Sequence, residues 1–245
     1  EDWVKAAAEN NIGVTLMESG SYEQAEPHLL SGLEANRRDE DPRGVAQSQC
    51  SLGELYYRLG RLEEAHAALT DAVAIAEESE DAPCQVLARA WLARVSCLRG
   101  ETVGPVAVTE PDAHLPPDCE AAVRVARVDC VLAHGPEDEA RDLITALLDD
   151  DPLPGNVGVE LLALGLESAR FREDAEAVAQ LADALRECSD EATDQRLRAY
   201  ADWLLGASEG DPPQRAPGDR DCTCFDLRAA RLSQSPSARD ADGQG

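Results

Sequence analysis

The side chains that could do chemistry in this chain are its cysteines, histidines and carboxylates. Eight cysteines are present: Cys50, Cys84, Cys97, Cys119, Cys130, Cys188, Cys222 and Cys224. An even count permits a disulfide framework. Cys50, Cys97, Cys130 and Cys188 nevertheless fall in strongly helical windows, where a free thiol behaves as a small buried hydrophobe. A helical chain of 245 residues does not need the staples of a tiny secreted domain. There is no Cys-x-x-Cys, and His28, His66, His114 and His134 stand apart, so no zinc-type pairing arises and no metal or cofactor is expected. Cys222-Thr-Cys224 is the one close pair; it could take a soft metal or form a strained redox loop, and a chance pairing is the simpler reading. The many carboxylates lie along helical faces and in acidic turns such as DEDP and LLDDDP, which read as solvated surface. No phosphate-binding loop, H-E-x-x-H or G-x-S-x-G motif appears. The chain is therefore not expected to be an enzyme. An enzyme reading would require two buried carboxylates facing one pocket.

Composition narrows the partners. Forty-nine acidic residues against 22 basic ones give a net charge of −27. Such a surface repels phosphate backbones and anionic membranes alike, so no nucleic-acid or membrane partner is expected. No apolar run approaches the ~20 residues of a membrane span. No basic n-region with an apolar h-region opens the chain, so no signal peptide is expected and a cytoplasmic location is expected. The first residue is Glu1 rather than Met, from which a longer product is expected. Aromatics make up 4%, Ala and Leu dominate, and runs of Val, Ile and Thr are missing. These proportions predict an all-α protein.

The elements that must position any site are written in a period. Gly20, Gly60 and Gly100 lie 40 residues apart. Gly13 and Gly53 keep the same spacing, with Ala93 third, as do Ile12, Leu52 and Leu92. Ala25 and Ala65 each follow their glycine by five residues. Each copy predicts an amphipathic helix, a turn at Gly and a second amphipathic helix. Gly20 and Gly60 suit left-handed caps, where a Cβ would be penalised. Gly13 and Gly53 fall mid-helix, where Gly costs about 1 kcal/mol against Ala and is kept only for close approach of a partner helix. Leu16 and Tyr56, then Leu29 and Leu69, fill the larger hollows.

Leu52, Gly53, Tyr56, Gly60, Ala65, Leu69 and Ala72 in one copy, with Ile12, Gly13, Leu16, Gly20, Tyr22, Ala25 and Leu29 in the other, resemble the tetratricopeptide repeat family. Gly32 stands where the family usually has Ala, and Glu9 and Gln49 stand where it usually has Trp. The spacing exceeds the usual repeat of about 34 residues and looks like the longer variant of bacterial regulators and kinesin light chains. The resemblance implies an α-α superhelix, a helical-repeat solenoid.

Residues 1–100 carry the specific motifs. The segment 101–118 holds Pro105, Pro111, Pro116 and Pro117 and reads as a loop or insertion. Residues 119–206 read as degenerate pairs of the same shape, with Ala140 and Ala175 at the small position and a capping helix at the end. The tail, 207–245, is too poor in apolar residues to offset its ordering entropy and is expected to be disordered. FDLRAARL within it could form one short helix.

The resemblance implies a protein-interaction module that binds a peptide or protein segment along a concave groove lined by the first helix of each pair. The groove positions are Asn10, Asn11, Val14, Met17 and Glu18 in the first copy. They are Cys50, Ser51, Glu54, Tyr57 and Arg58 in the second, and Trp91, Arg94 and Cys97 in the third. Asn11 precedes the Ile12-Gly13 pair, where an Asn in family members holds a ligand backbone through its amide donor and acceptor. Arg58 and Arg94 could hold a carboxylate. Tyr57, Met17 and Trp91 suit packing as well as contact. A lysine clamp for a C-terminal carboxylate is not evident, since Lys5 is the only lysine. The expected role is the regulatory or sensory part of a larger bacterial regulator, and the alternative is a stand-alone adaptor.

Overall fold

A computed structural model describes residues 2–101, 116–149, 155–206 and 224, 225, 227 and 228. Among them are ten α-helices and no strand. The helices are α1 (Asp2–Glu18), α2 (Tyr22–Arg38), α3 (Pro42–Arg58), α4 (Leu62–Glu78), α5 (Ala82–Arg99), α6 (Pro117–His134), α7 (Glu137–Asp149), α8 (Gly155–Phe171), α9 (Ala175–Cys188) and α10 (Gln195–Leu204). The chain divides within α6 into two units, Glu1–Arg127 and Val128–Gly245.

In the first unit successive helices pack as neighbours, α1 on α2, α2 on α3, α3 on α4 and α4 on α5. The first helices also touch across the pairs, α1 with α3 and α3 with α5. This is helical-repeat stacking, in which no pair buries its apolar face alone. The core joining the first two pairs contains Met17, Tyr22, Ala25, Leu29 and Leu33 from one and Leu52, Leu55 and Leu59 from the next, with Leu16 and Tyr56 against it.

The two kinds of glycine do what their positions predict. Gly20, Gly60 and Gly100 are left-handed, at φ 79°, 69° and 74°. Each closes its helix with paired bonds, as where Gly60 N–H donates to Tyr57 O at 2.9 Å and Arg61 N–H to Tyr56 O at 2.8 Å. At Gly53 an added Cβ would lie 2.4 Å from Leu69 Cγ, and at Gly13 2.4 Å from Leu29 Cδ2. Gly32, the departure from the family pattern, has its own reason: a Cβ there would sit 3.2 Å from the carbonyl of Ala6 on α1.

The turns between pairs carry a second signal of the same period. Glu40 and Glu80 are left-handed, at φ 52° and 55°, although neither is glycine. The third copy keeps its first helix, α5, capped by Asp81, whose side chain accepts from Cys84 N–H at 3.2 Å. The expected failure of its second helix, and the loop reading of 101–118, fall mostly on 102–115, outside the described residues. α6 begins at Pro117, two residues before the expected start, and Val123 and Ala126 pack on Ala90.

In the second unit α8 touches α7, α9 and α10. It is buried from Gly158 through Leu166, apolar nearly all round as an enclosed helix must be. Asn156 on α8 accepts from the N–H groups of Thr193 and Asp194 at 2.9 and 3.0 Å and so holds the start of α10. Ala140 is buried as expected, whereas Ala175 is exposed and Ala177 is the buried alanine of α9. Within 207–245 the described residues 224, 225, 227 and 228 are helical; the disorder expected for the rest of the tail lies outside the described residues.

Candidate functional site

The 40-residue period puts the expected groove positions in rows across α1, α3 and α5. Asn11, Ser51 and Trp91 share one register, Val14, Glu54 and Arg94 another, and Met17, Tyr57 and Cys97 a third. The rows differ in accessibility. Met17, Tyr57 and Cys97 are all buried, and Met17 belongs to the inter-pair core. Asn11 and Glu18 are exposed, and Asn10, Val14, Ser51, Glu54 and Arg58 are half-buried. The open part of the wall is therefore on α1 and α3.

Toward α5 the wall closes into an aromatic and cationic cluster. The Tyr57 and Trp91 rings are 5.4 Å apart at 53°. The Arg94 guanidinium lies 4.7 Å from each ring, and Arg94 is only 2% exposed. Arg58 lies 5.4 Å over Trp91 and holds Glu54 at 3.0 Å. Contacts of a cation over an aromatic face are worth about 0.5–2 kcal/mol each. Tyr57 and Arg94 thus brace α3 against α5, while Arg58 is the cation at the edge of the open wall. Two polar atoms of the wall have no hydrogen-bond partner: Asn10 Oδ1 and Trp91 Nε1, both buried. Buried polar atoms of native proteins are nearly always paired.

Cys50 on α3 and Cys84 at the start of α5 are neighbouring thiols, a pairing that spacing did not reveal. The Cys84 thiol, with burial, pushes the Cys50 thiol up, and Cys50 in turn holds Cys84 below the ordinary thiol value. Cys50, Cys84, Cys97, Cys119, Cys130, Cys188 and Cys224 are not joined in disulfides; Cys130 is half-buried and the others are buried. Cys222 lies outside the described residues, and with it the Cys222–Cys224 pairing. Among the described residues no group of three or more His, Cys, Asp or Glu is arranged to hold a metal ion. Among them, too, no helix is long and apolar enough to cross a membrane.

The second unit holds a site that the reading of all carboxylates as solvated surface missed. Asp129 on α6 is buried, and the Glu167 side chain on α8 is only 15% exposed. Both face Arg228, at 2.5 and 3.5 Å. The Tyr200 hydroxyl on α10 donates to Glu167, and the Tyr200 ring stacks on Phe225 at 5.4 Å and on Trp203 at 5.8 Å. Burial raises the Glu167 carboxyl above its ordinary value, opposed by Arg228, and burial also drives the Tyr200 hydroxyl well up. Two buried carboxylates do converge here, but a guanidinium bridges them. The signal in the sequence was Phe225 and Arg228, three residues apart and so on one helical face.

Left-handed glycine caps, mid-helix glycines pressed against leucines, and first helices stacked side by side define a helical-repeat scaffold. Residues 4–78 match the family model described as tetratricopeptide repeat, and that part of the chain belongs to the tetratricopeptide repeat family. Residues 154–209 match the family described as anaphase-promoting complex subunit 5. No curated protein and no solved structure matches the chain. Both family likenesses fit a scaffold for protein–protein interaction.

Proposed function

We propose that the wall formed by α1, α3 and α5 binds an extended peptide or protein segment, and that the chain acts as a binding module rather than a catalyst. Asn11 is placed to pair with a peptide backbone, since an exposed amide offers both donor and acceptor. Val14 and the stem of Arg58 supply apolar contact beside it, and Ser51, Glu54 and Glu18 give polar edges. The observation that carries the reading is the open stretch of wall on α1 and α3, where Asn11 and Glu18 are exposed and Val14, Ser51, Glu54 and Arg58 are half-buried. Fixed helices make such binding economical, because little protein ordering is needed.

In this reading the chain is the regulatory or sensory part of a larger bacterial regulator acting in the cytoplasm. A stand-alone adaptor is the second reading. It is favoured by the likeness of residues 154–209 to a family named for a subunit of a complex.

The test is selection of peptides from a displayed random library against the wild-type protein, followed by titration of the selected peptides. Asn11→Ala and Arg58→Ala are each expected to weaken binding about tenfold, the loss of one or two polar contacts. Unchanged affinity in both variants overturns the assignment.

A further inference from the structure

The buried cluster of the second unit is filled by the chain itself. Asp129, Glu167 and Tyr200 come from α6, α8 and α10, while the groups they hold, Phe225 and Arg228, come from beyond α10. Arg228 is 99 residues from Asp129 and 61 from Glu167. Seventeen residues, 207–223, separate Gly206 from Cys224, and three of them are Pro212, Pro213 and Pro217. Phe225 and Arg228 therefore reach the cluster from far along the chain.

The chemistry is selective. Buried ion pairs contribute little net stability against well-packed apolar side chains, yet removing one partner leaves a costly unpaired charge. Two carboxylates that converge on one point favour a cation between them. A guanidinium suits the task because its planar fork can reach both. Beside them Tyr200, already backed by Trp203, offers a flat face to one aromatic ring.

We propose that Asp129, Glu167 and Tyr200 form a docking pocket for a helical segment presenting an aromatic residue and, three positions later, an arginine. Phe225 and Arg228 occupy that pocket in cis as a built-in competitor, and a partner protein bearing the same Phe-x-x-Arg pair displaces them. Because the competitor is covalently attached, it acts at a high effective concentration and sets a threshold that the partner must exceed. The pocket belongs to the second unit and the α1–α3–α5 wall to the first.

The probe is a fluorescent peptide of residues 221–232 carrying Cys222→Ser and Cys224→Ser, titrated by anisotropy into the full chain. Arg228→Lys in the protein keeps the charge but loses the fork, so the latch loosens while the carboxylates stay neutralised. That variant is expected to bind the peptide at least tenfold more tightly than wild type, and a peptide that also carries Arg228→Gln is expected not to bind. Equal affinity of the two proteins, or binding that ignores the arginine of the peptide, overturns the proposal. A second measurement needs no variant: hydrogen exchange of the wild-type chain's own 221–232 segment with excess peptide present. Faster exchange of that segment supports displacement, and unchanged exchange at saturating peptide overturns it.

Discussion

Gly53→Ala separates two opposing physical effects. Gly53 is mid-helix in α3, so the alanine gains about 1 kcal/mol of helix propensity. Its methyl would lie 2.4 Å from Leu69 Cγ and 2.6 Å from Leu69 Cδ2. Carbon atoms pack best at about 3.5–4.0 Å, so Leu69 must retreat by roughly 1 Å or more. Leu69 is fully buried, and Cγ is the branch point of its side chain rather than its free end. Overpacking of this kind costs about 1–3 kcal/mol. The net expectation is a loss of about 1 kcal/mol. Urea unfolding followed by far-UV circular dichroism reads this as a midpoint lowered by about 0.5 M, taking a slope of about 2 kcal/mol per M. In a Leu69→Ala background the obstruction is gone and the sign reverses: Gly53→Ala then stabilises by about 1 kcal/mol. The coupling in that double-mutant cycle is therefore about 2 kcal/mol. A higher midpoint for Gly53→Ala in the wild-type background, or a coupling below about 0.5 kcal/mol, refutes close helix approach as the reason for the glycine.

Three further outcomes are expected. Leu52→Ala should cost about 2–5 kcal/mol in urea unfolding because Leu52 is 2% exposed in the inter-pair core, while Ile12→Ala, at the equivalent position but 44% exposed, should cost well under about 1 kcal/mol. Glu80→Gly should raise the thermal midpoint by up to about 1 kcal/mol of stability, since relief of a left-handed glutamate exceeds the added entropy of the unfolded glycine; a lower midpoint would contradict this. Glu167 has a carboxyl raised by burial among Arg228, Tyr200 and Asp129. Its contribution to stability is therefore full below the ordinary value near 4.5 and is lost as pH rises through the folded value. Glu167→Gln should accordingly improve relative to wild type as pH rises from about 4.5 through the folded value, and parallel stability profiles would exclude the effect.

Much of the first unit was legible because its contacts repeat. Gly13 and Gly53, Leu29 and Leu69, and Gly20 and Gly60 make the same local contacts in successive copies, so spacing alone exposed them. The left-handed turns at Glu40 and Glu80 were not legible as such, because glutamate carries no signature of that conformation; the surrounding helices impose it. Among the groove positions, residue type did not reveal accessibility. Asn11 and Trp91 occupy one register, but Asn11 is exposed at the first helix whereas Trp91 is buried in the cluster with Tyr57 and Arg94.

The helices, their caps and the stacking order of the first pairs follow from side-chain size and backbone freedom at fixed local spacing, so residue types alone specify them. Tertiary structure alone decided that Ile12 is exposed where Leu52 is buried, and that Arg228 reaches Asp129 and Glu167. The physical reason is that burial and charge pairing depend on which distant surfaces meet. No local period encodes a contact across 99 residues.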